Sequence, residues 1–517
     1  MRRLAVTLSC LALAAACSDD SEGSGGAGAG PHPPPEPLAP LSRAPLTTDE
    51  RLIVTHAPEV AGVHDPRLPE SMDEMLASGY GDYTRGPGEA VVPRTMDGTP
   101  APAAGPNAKR LARFVHFADT QLADDESPAR LVNADSSGAT SGAFRPQEGH
   151  ECRIMNAAVR TINKVHETLP IDAVILGGDN ADNAQSNELD WVLSILSGSA
   201  SVHCDSGDDD DPTPGPANDP KDAFYADGLR MPWVWVTGNH DVLQQGNFPP
   251  LAKEADYLAS YTGTGTRDWS QPGGPTFIGD VVPDQARKPL SGQDLLARVR
   301  ADGDGHGVTE AAVAAGRAFY SYDIPGTPIR FLVIDTAAPT GSAEGLVHQS
   351  EVDDFLVPEL EAAELEGKYV IVTSHHASSK LTDGGDFGGT AQADAVLPDP
   401  FREVLGAHPN VLMHLAGHTH VHRVTVVDPM VTGLSRYWEV ETSALADYPN
   451  QLRVIEIWDL DNGFLSIRST VLDYQTEGDD VAEDGRKRAY CDYTSGWIAD
   501  ESGTPEERNV ELYVPKP

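Results

Sequence analysis

Apolar residues along this chain gather in short runs of Val, Ile, Leu, Phe and Trp, and each run stops on polar residues. A run of this kind predicts a strand buried on both faces. FVHFADTQ ends in Asp119 and Gln121, and AVILGGDNAD carries Asp179 and Asp182. WVWVTGNHD carries Asn239, His240 and Asp241; YVIVTSHH ends in His375 and His376; VLMHLAGHTH ends in His418 and His420. Between the first two runs, Ile154, Ala158, Ile162, Val165 and Leu169 recur at helical spacing before Pro170. They predict a helix feeding the second strand, and the strand–helix–strand order predicts an α/β core.

Ligands of open α/β sheets collect at the carboxyl ends of strands. Carboxylate, amide and imidazole groups meeting on one sheet edge form the donor set that a pair of divalent cations needs. A lone Asp after a strand is usually a turn or helix cap. Caps do not explain four His and an Asn in the same register. His116 and His414 lie inside apolar runs and read as core histidines, while Asp335 ends FLVID with no companion motif and reads as structural. His422 sits two residues past His420 on a strand-like continuation and reads as facing away from the cluster.

The order D-x-(H/Q), G-D-x-x-D, G-N-H-D, an isolated His and G-H-x-H resembles the calcineurin-like metallophosphoesterase superfamily. The matching positions run from Asp119 to His420, and the implied fold runs from Leu111 to about Leu472. The resemblance implies a four-layer α-β-β-α sandwich: two mixed sheets flanked by helices, with long loop insertions. It places Asp119, Gln121 and His420 on a first metal, Asp179 as the bridge, and Asn239, His375 and His418 on a second. His376 would stand just outside the ligands. Two divalent ions, of manganese, iron or zinc, would hold a bridging hydroxide that attacks phosphorus. His240 would be the general acid, with Asp182 orienting it and Asp241 as the weaker candidate for that role.

Two departures matter. Gln121 stands where relatives usually have His, and an amide oxygen is a weaker, uncharged ligand. Asp182 stands where purple acid phosphatases have an iron-binding Tyr, so no iron–phenolate colour is expected. The stretches Phe144–Asn163 and Glu441–Ile457 resemble a poorly characterised bacterial lipoprotein branch of the superfamily.

The ends of the chain suggest an address. Residues 1–16 read as a signal peptide, too short to serve as a membrane span, and Cys17 follows a sequence resembling a bacterial lipobox. The expectation is a membrane-anchored, extracytoplasmic lipoprotein, lipidated at Cys17, or otherwise plain secretion. Residues 17–48 would be a Gly/Ser- then Pro-rich tether and 49–110 an N-terminal extension packed on the core. The catalytic domain would span 111–475, with insertions at about 199–230 and 243–317, followed by a C-terminal extension over 476–517. Insertions beside a site often shape its entrance. Cys152, Cys204 and Cys491 are too few for a disulfide scaffold; Cys152 with Cys204 is one possible bridge, which sequence alone cannot fix.

The net charge of −42 sets a limit on partners. Such a surface repels nucleic acid and anionic membrane. Two dications with Asp119, Asp179 and a hydroxide sum to about +1, so a small phosphorylated substrate is still drawn in at close range. Two further readings remain open: a catalytically weak phosphate- or metal-binding lipoprotein, motivated by Gln121, and an extracellular nuclease, disfavoured by charge. The acidic run Asp208–Asp211 lacks EF-hand spacing and reads as a solvated loop.

Overall fold

The computed structural model describes residues 34–56, 58, 64–138, 140–207, 220–250, 282–386 and 388–517. The expected signal peptide, Cys17, residues 17–33 of the tether and the run Asp208–Asp211 lie outside the described residues.

Near the N-terminus, β1 (Arg51–Thr55) pairs with β2 (Tyr83–Pro87), and α1 (Pro69–Ala77) buries Met72 and Met75 against Tyr80 and Cys491. One mixed sheet has the order β3 (Val92–Thr95), β17 (Val510–Pro515), β16 (Phe464–Asp473), β15 (Gln451–Asp459), β4 (Lys109–Phe117), β5 (Ala173–Leu176) and β8 (Trp233–Val234). Strands β4, β5 and β8 run parallel, whereas β15 is antiparallel to β4. The other mixed sheet has the order β13 (Arg423–Val427), β14 (Tyr437–Glu441), β12 (Val411–Ala416), β11 (Tyr369–Thr373), β10 (Ile329–Val333) and β9 (Tyr320–Asp323). Here β10, β11, β12 and β14 are parallel. A small hairpin, β6 (Ser199–Val202) with β7 (Phe224–Ala226), stands apart from both sheets.

Side chains alternate along a strand, so a strand buried on both faces supplies two cores. Phe331, Val333 and Ile371 point into the core shared with the other sheet, where the rings of Phe114 and Phe331 meet edge to face at 5.0 Å. Their neighbours Leu332, Val370 and Val372 turn outward onto Leu356, Leu360, Phe401 and Leu405. The last four residues lie on or beside the helices Val357–Leu365 and Pro398–Gly406. Helices α2 (Glu151–Thr168) and α3 (Ser186–Ser197) flank the other sheet, giving the two-sheet, helix-covered architecture that the motif order implied.

Ile154, Ala158, Ile162 and Val165 are all buried on α2. Leu169 is not: it lies just past the last turn and is 46% exposed, because the chain must leave the helix before Pro170. Cys152 on α2 is disulfide-bonded to Cys204, and Cys491 is a buried free thiol.

Both flanking segments join the body. The C-terminal stretch adds β17 to the larger sheet and packs the helix Asp480–Thr494 against α2. Residues 39–48 of the stretch assigned to the tether are docked: Arg160 donates to the Ala39 carbonyl at 2.8 Å, and Thr48 Oγ1 donates to Asn509 Oδ1 at 2.9 Å. Among the described residues no helix is long and apolar enough to cross a membrane.

Candidate metal centre

Three parallel strands of one sheet and two parallel strands of the other carry the candidate residues at their carboxyl ends. Asp119 follows β4, Asp179 follows β5, Asn239 and His240 follow β8, His375 follows β11, and His418 and His420 follow β12. Asp119, Gln121, Asp179, His418 and His420 have φ of 54, 41, 52, 67 and 58°. Left-handed backbone costs a non-glycine residue roughly 1–2 kcal/mol. Such strain persists where the surroundings over-determine it. Here Gly178 and Asp179 carbonyls accept from Asp119 N (3.0 Å) and Gln121 N (2.8 Å), and His375 O accepts from Gly417 N at 2.9 Å. Gly238 is required next to them, since a Cβ there would fall on the Asp179 carboxylate.

The side chains converge. His375 Nε2 is 3.1 Å from Asp179 Oδ2 and 3.9 Å from Asp119 Oδ1, and His420 Nε2 is 3.4 Å from Asp119 Oδ1. The rings of His375 and His418 are 5.2 Å apart. His375 Nδ1 donates to the Gly177 carbonyl at 2.8 Å, which aims Nε2 inward. Asn239 Nδ2 donates to the Gly246 carbonyl at 2.9 Å, which leaves its Oδ1 unengaged. Asn239 Oδ1 is buried without a hydrogen-bond partner among the described residues, and His375 Nε2 meets only carboxylates. A buried acceptor is rarely left so, and a cation is what this mixed O/N donor set fits.

Electrostatics point the same way. Burial opposes the charge on Asp179, but the His375 and His240 rings outweigh it and hold the carboxyl well below its usual range. Burial also works against a charged His375, yet Asp179 and Asp119 raise it to about 9. Burial and the neighbouring rings of His376 and His375 keep His418 neutral, the form that ligates.

His376 is spoken for: its nitrogens meet Thr336 Oγ1 and the Ala343 carbonyl, each at 2.8 Å. His116, His414 and His422 likewise bond within the core, to Thr442, Glu439 and Gln451. Asp335 accepts backbone N–H groups of Ala318 and Ala337, as a structural residue would.

His240 Nδ1 lies 2.8 Å from the Asp182 carbonyl and 3.2 Å from Asp182 Oδ1, so Nε2 turns to the cluster, 3.9 Å from Asp179 Oδ2. Its side chain keeps 14% exposure, enough for a substrate oxygen to reach. Burial opposes its charge, but Asp179 and Asp182 prevail and raise its pKa. Asp241 does not share in orienting it. Its oxygens accept from the backbone of Asn180 (2.9 Å), Ala181 (3.0 Å) and Gly238 (2.8 Å), pinning two strand-end turns together.

Gln121 also departs from expectation. Its Oε1 accepts from Arg145 Nη2 at 2.5 Å and its Nε2 donates to Asp179 Oδ2 at 3.2 Å. Both neighbours fix this orientation, because a flipped amide would set N–H against guanidinium and oxygen against carboxylate. Gln121 therefore bridges Arg145 and Asp179, with one side of its oxygen engaged by the guanidinium.

Four residues around the site were missed by sequence reasoning: Arg130, Arg145, Asp447 and Glu501. Arg130 pairs with Asp182 and Glu148. Asp447 Oδ2 sits 2.7 Å from His420 Nδ1, and Glu501 approaches the same pair. None follows an apolar run. Asp447 arrives on the turn before β15, which, being antiparallel to β4, begins at the same edge. Only the family-like stretches containing Arg145 and Asp447 hinted at them.

A two-sheet sandwich with carboxylate, amide and imidazole side chains gathered at its strand ends is the framework of a metal-dependent phosphoric ester hydrolase. The calcineurin-like phosphoesterase family model matches residues 112–422, and the chain belongs to that family. No curated protein matches the chain. Among solved structures it is similar to a dimetal phosphatase from Danio rerio, at 12% identity and TM-score 0.37 over 71% of this chain and 100% of that one. It is also similar to a purple acid phosphatase from yellow lupin (Lupinus luteus) seeds, at 12% identity and TM-score 0.34 over 75% of this chain and 54% of that one.

Proposed function

We propose that the protein hydrolyses small phosphomonoesters or phosphodiesters outside the cytoplasm, using two divalent cations. The observation that carries the reading is the convergence of His375 Nε2 on Asp179 and Asp119, at 3.1 and 3.9 Å, with His420 Nε2 3.4 Å from the same Asp119 oxygen. Asp119 and His420 would hold one ion, Asn239, His375 and His418 the other, and Asp179 would reach both. When bound, the ions supply neutralisation of phosphoryl charge and an activated water. The chain's own part is to seat the phosphoryl group and to protonate the leaving oxygen. His240 does the latter from Nε2, with Asp182 and the Asp182 carbonyl fixing Nδ1. Removal of such an acid costs about 10²–10⁴-fold in turnover.

The signal-peptide pattern of residues 1–16 and the lipobox-like sequence before Cys17 support an extracytoplasmic, lipid-anchored role, and the net charge of −42 favours small esters over nucleic acid. Metal identity is left to the donor set, in which nitrogen and oxygen ligands suit manganese, iron or zinc alike. The test is hydrolysis of p-nitrophenyl phosphate and bis(p-nitrophenyl) phosphate by chelated protein before and after manganese is restored. Metal-dependent turnover of at least one ester is expected. Absence of turnover of both with any of the three metals would refute the proposal.

A further inference from the structure

His420 and His240 each lean on a carboxylate, and one guanidinium lies beside both carboxylates. Arg145 Nε donates to Asp447 Oδ1 at 2.8 Å, and Asp447 Oδ2 lies 2.7 Å from His420 Nδ1. Arg145 Nη1 lies at an ion-pair distance of 3.6 Å from Asp182 Oδ1, which is 3.2 Å from His240 Nδ1. Its third arm, Nη2, holds Gln121 Oε1 at 2.5 Å, and Gln121 in turn donates to Asp179 at 3.2 Å. The guanidinium is buried, with 3% of its side chain exposed, so these contacts are not diluted by solvent.

We infer that Arg145 is the positioning residue of this centre: one planar fork sets both the metal-facing ring of His420 and the proton-donating ring of His240. The inference rests on the reading of the centre as a two-cation hydrolase. Arg145 itself lies outside the five strand-end motifs, on a segment between β4 and α2.

The chemistry requires arginine at this place. Asp447 Oδ1 and Gln121 Oε1 take hydrogen bonds from two different nitrogens while a third faces Asp182 Oδ1 at ion-pair distance, an arrangement that a planar guanidinium satisfies; a lysine ammonium on a flexible stem can meet fewer of these groups at once. Asp447 and Asp182 are buried, so the N–H groups beside them set the direction in which each carboxylate faces its histidine. Arg130 braces the assembly from behind: it pairs with Asp182 and with Glu148, and Glu148 accepts the backbone N–H of Arg145 at 2.7 Å.

The test compares native protein with Arg145→Lys, by two readouts. The first is manganese titration into chelated protein, followed by the electron paramagnetic resonance signal of free manganese, which needs no turnover. One site is expected to weaken about 10–100-fold, the usual scale for loss of a ligand's hydrogen-bond partner. The second is the turnover ratio of p-nitrophenyl phosphate to phenyl phosphate. The poorer phenolate leaving group needs the proton more, so the ratio is expected to rise about tenfold or more as His240 loses its orientation.

A folded Arg145→Lys protein with native manganese affinity and a native ratio would overturn the inference. Equal loss on both esters with unchanged manganese affinity would overturn it too, since that is how a purely structural residue behaves. If Arg145→Lys does not fold, Arg145→Gln takes its place with the same readouts. Should native protein bind manganese but turn over neither ester, the hydrolase reading fails while the manganese comparison still decides the role of Arg145 at His420.

Discussion

Asp447 Oδ2 lies 2.7 Å from His420 Nδ1, so the other nitrogen of the ring, Nε2, faces Asp119 Oδ1 at 3.4 Å. A carboxylate behind an imidazole fixes which nitrogen carries the proton and makes the other a stronger donor to a cation. Asp447→Ala should therefore weaken metal binding or activity about 10–100-fold. Asp447→Asn, which can still accept a hydrogen bond, should lose less. Metal content after dialysis against graded chelator reads the difference, and equal retention in all three proteins would contradict it.

Gly246 has φ of 61°, and a Cβ placed there would collide with the His240 ring and the Asn239 amide. Gly246→Ala should therefore displace the proposed acid and a proposed ligand together. Overpacking of this kind costs about 1–3 kcal/mol, to which the left-handed backbone adds roughly 1–2 kcal/mol. A lowered melting temperature with turnover reduced at least tenfold is expected. Native stability and turnover would show that the loop yields freely.

His375 is held at about 9 in the metal-free centre by Asp179 and Asp119 despite its burial. A ligating imidazole must give up that proton, so metal uptake releases protons and competes with them. Affinity for manganese should rise from pH 6 to pH 9, by about tenfold per pH unit for each proton displaced. Calorimetry in two buffers of different ionisation enthalpy measures the protons released. A pH-independent affinity would contradict this.

Away from the site, Glu439 accepts from His414 Nδ1 at 2.9 Å and from Ser378 N at 2.8 Å. Burial opposes its charge, but these bonds bring it down from 4.5 to about 2. Its contribution is therefore fully present above pH 4.5 and disappears as pH falls toward 2. Through linkage it amounts to about 3 kcal/mol at most. Urea unfolding of metal-free Glu439→Gln should lose this part of the acid-side slope, and an unchanged slope would refute the assignment.

The strand-end residues were legible because apolar runs mark buried strands and the residue after each run must sit at a sheet edge. The helix before Pro170 was legible from its 3.6-residue period. Arg145 and Asp447 carry no such mark: they reach the site on irregular segments, and their roles follow from pairings made only in three dimensions. The tertiary pairing also redirected Asp241, whose oxygens clamp neighbouring backbone, and Gln121, whose amide is held between a guanidinium and a carboxylate. The docking of residues 39–48 was hidden because a Pro-rich stretch has the same composition whether it is free or laid along a surface.

The most direct measurement is an anomalous difference map from crystals of the manganese-reconstituted protein. Two peaks about 3.5–4 Å apart, the separation usual for paired-ion hydrolases, are expected among Asp119, Asp179, Asn239, His375, His418 and His420. A single peak, or peaks away from those side chains, would contradict the account.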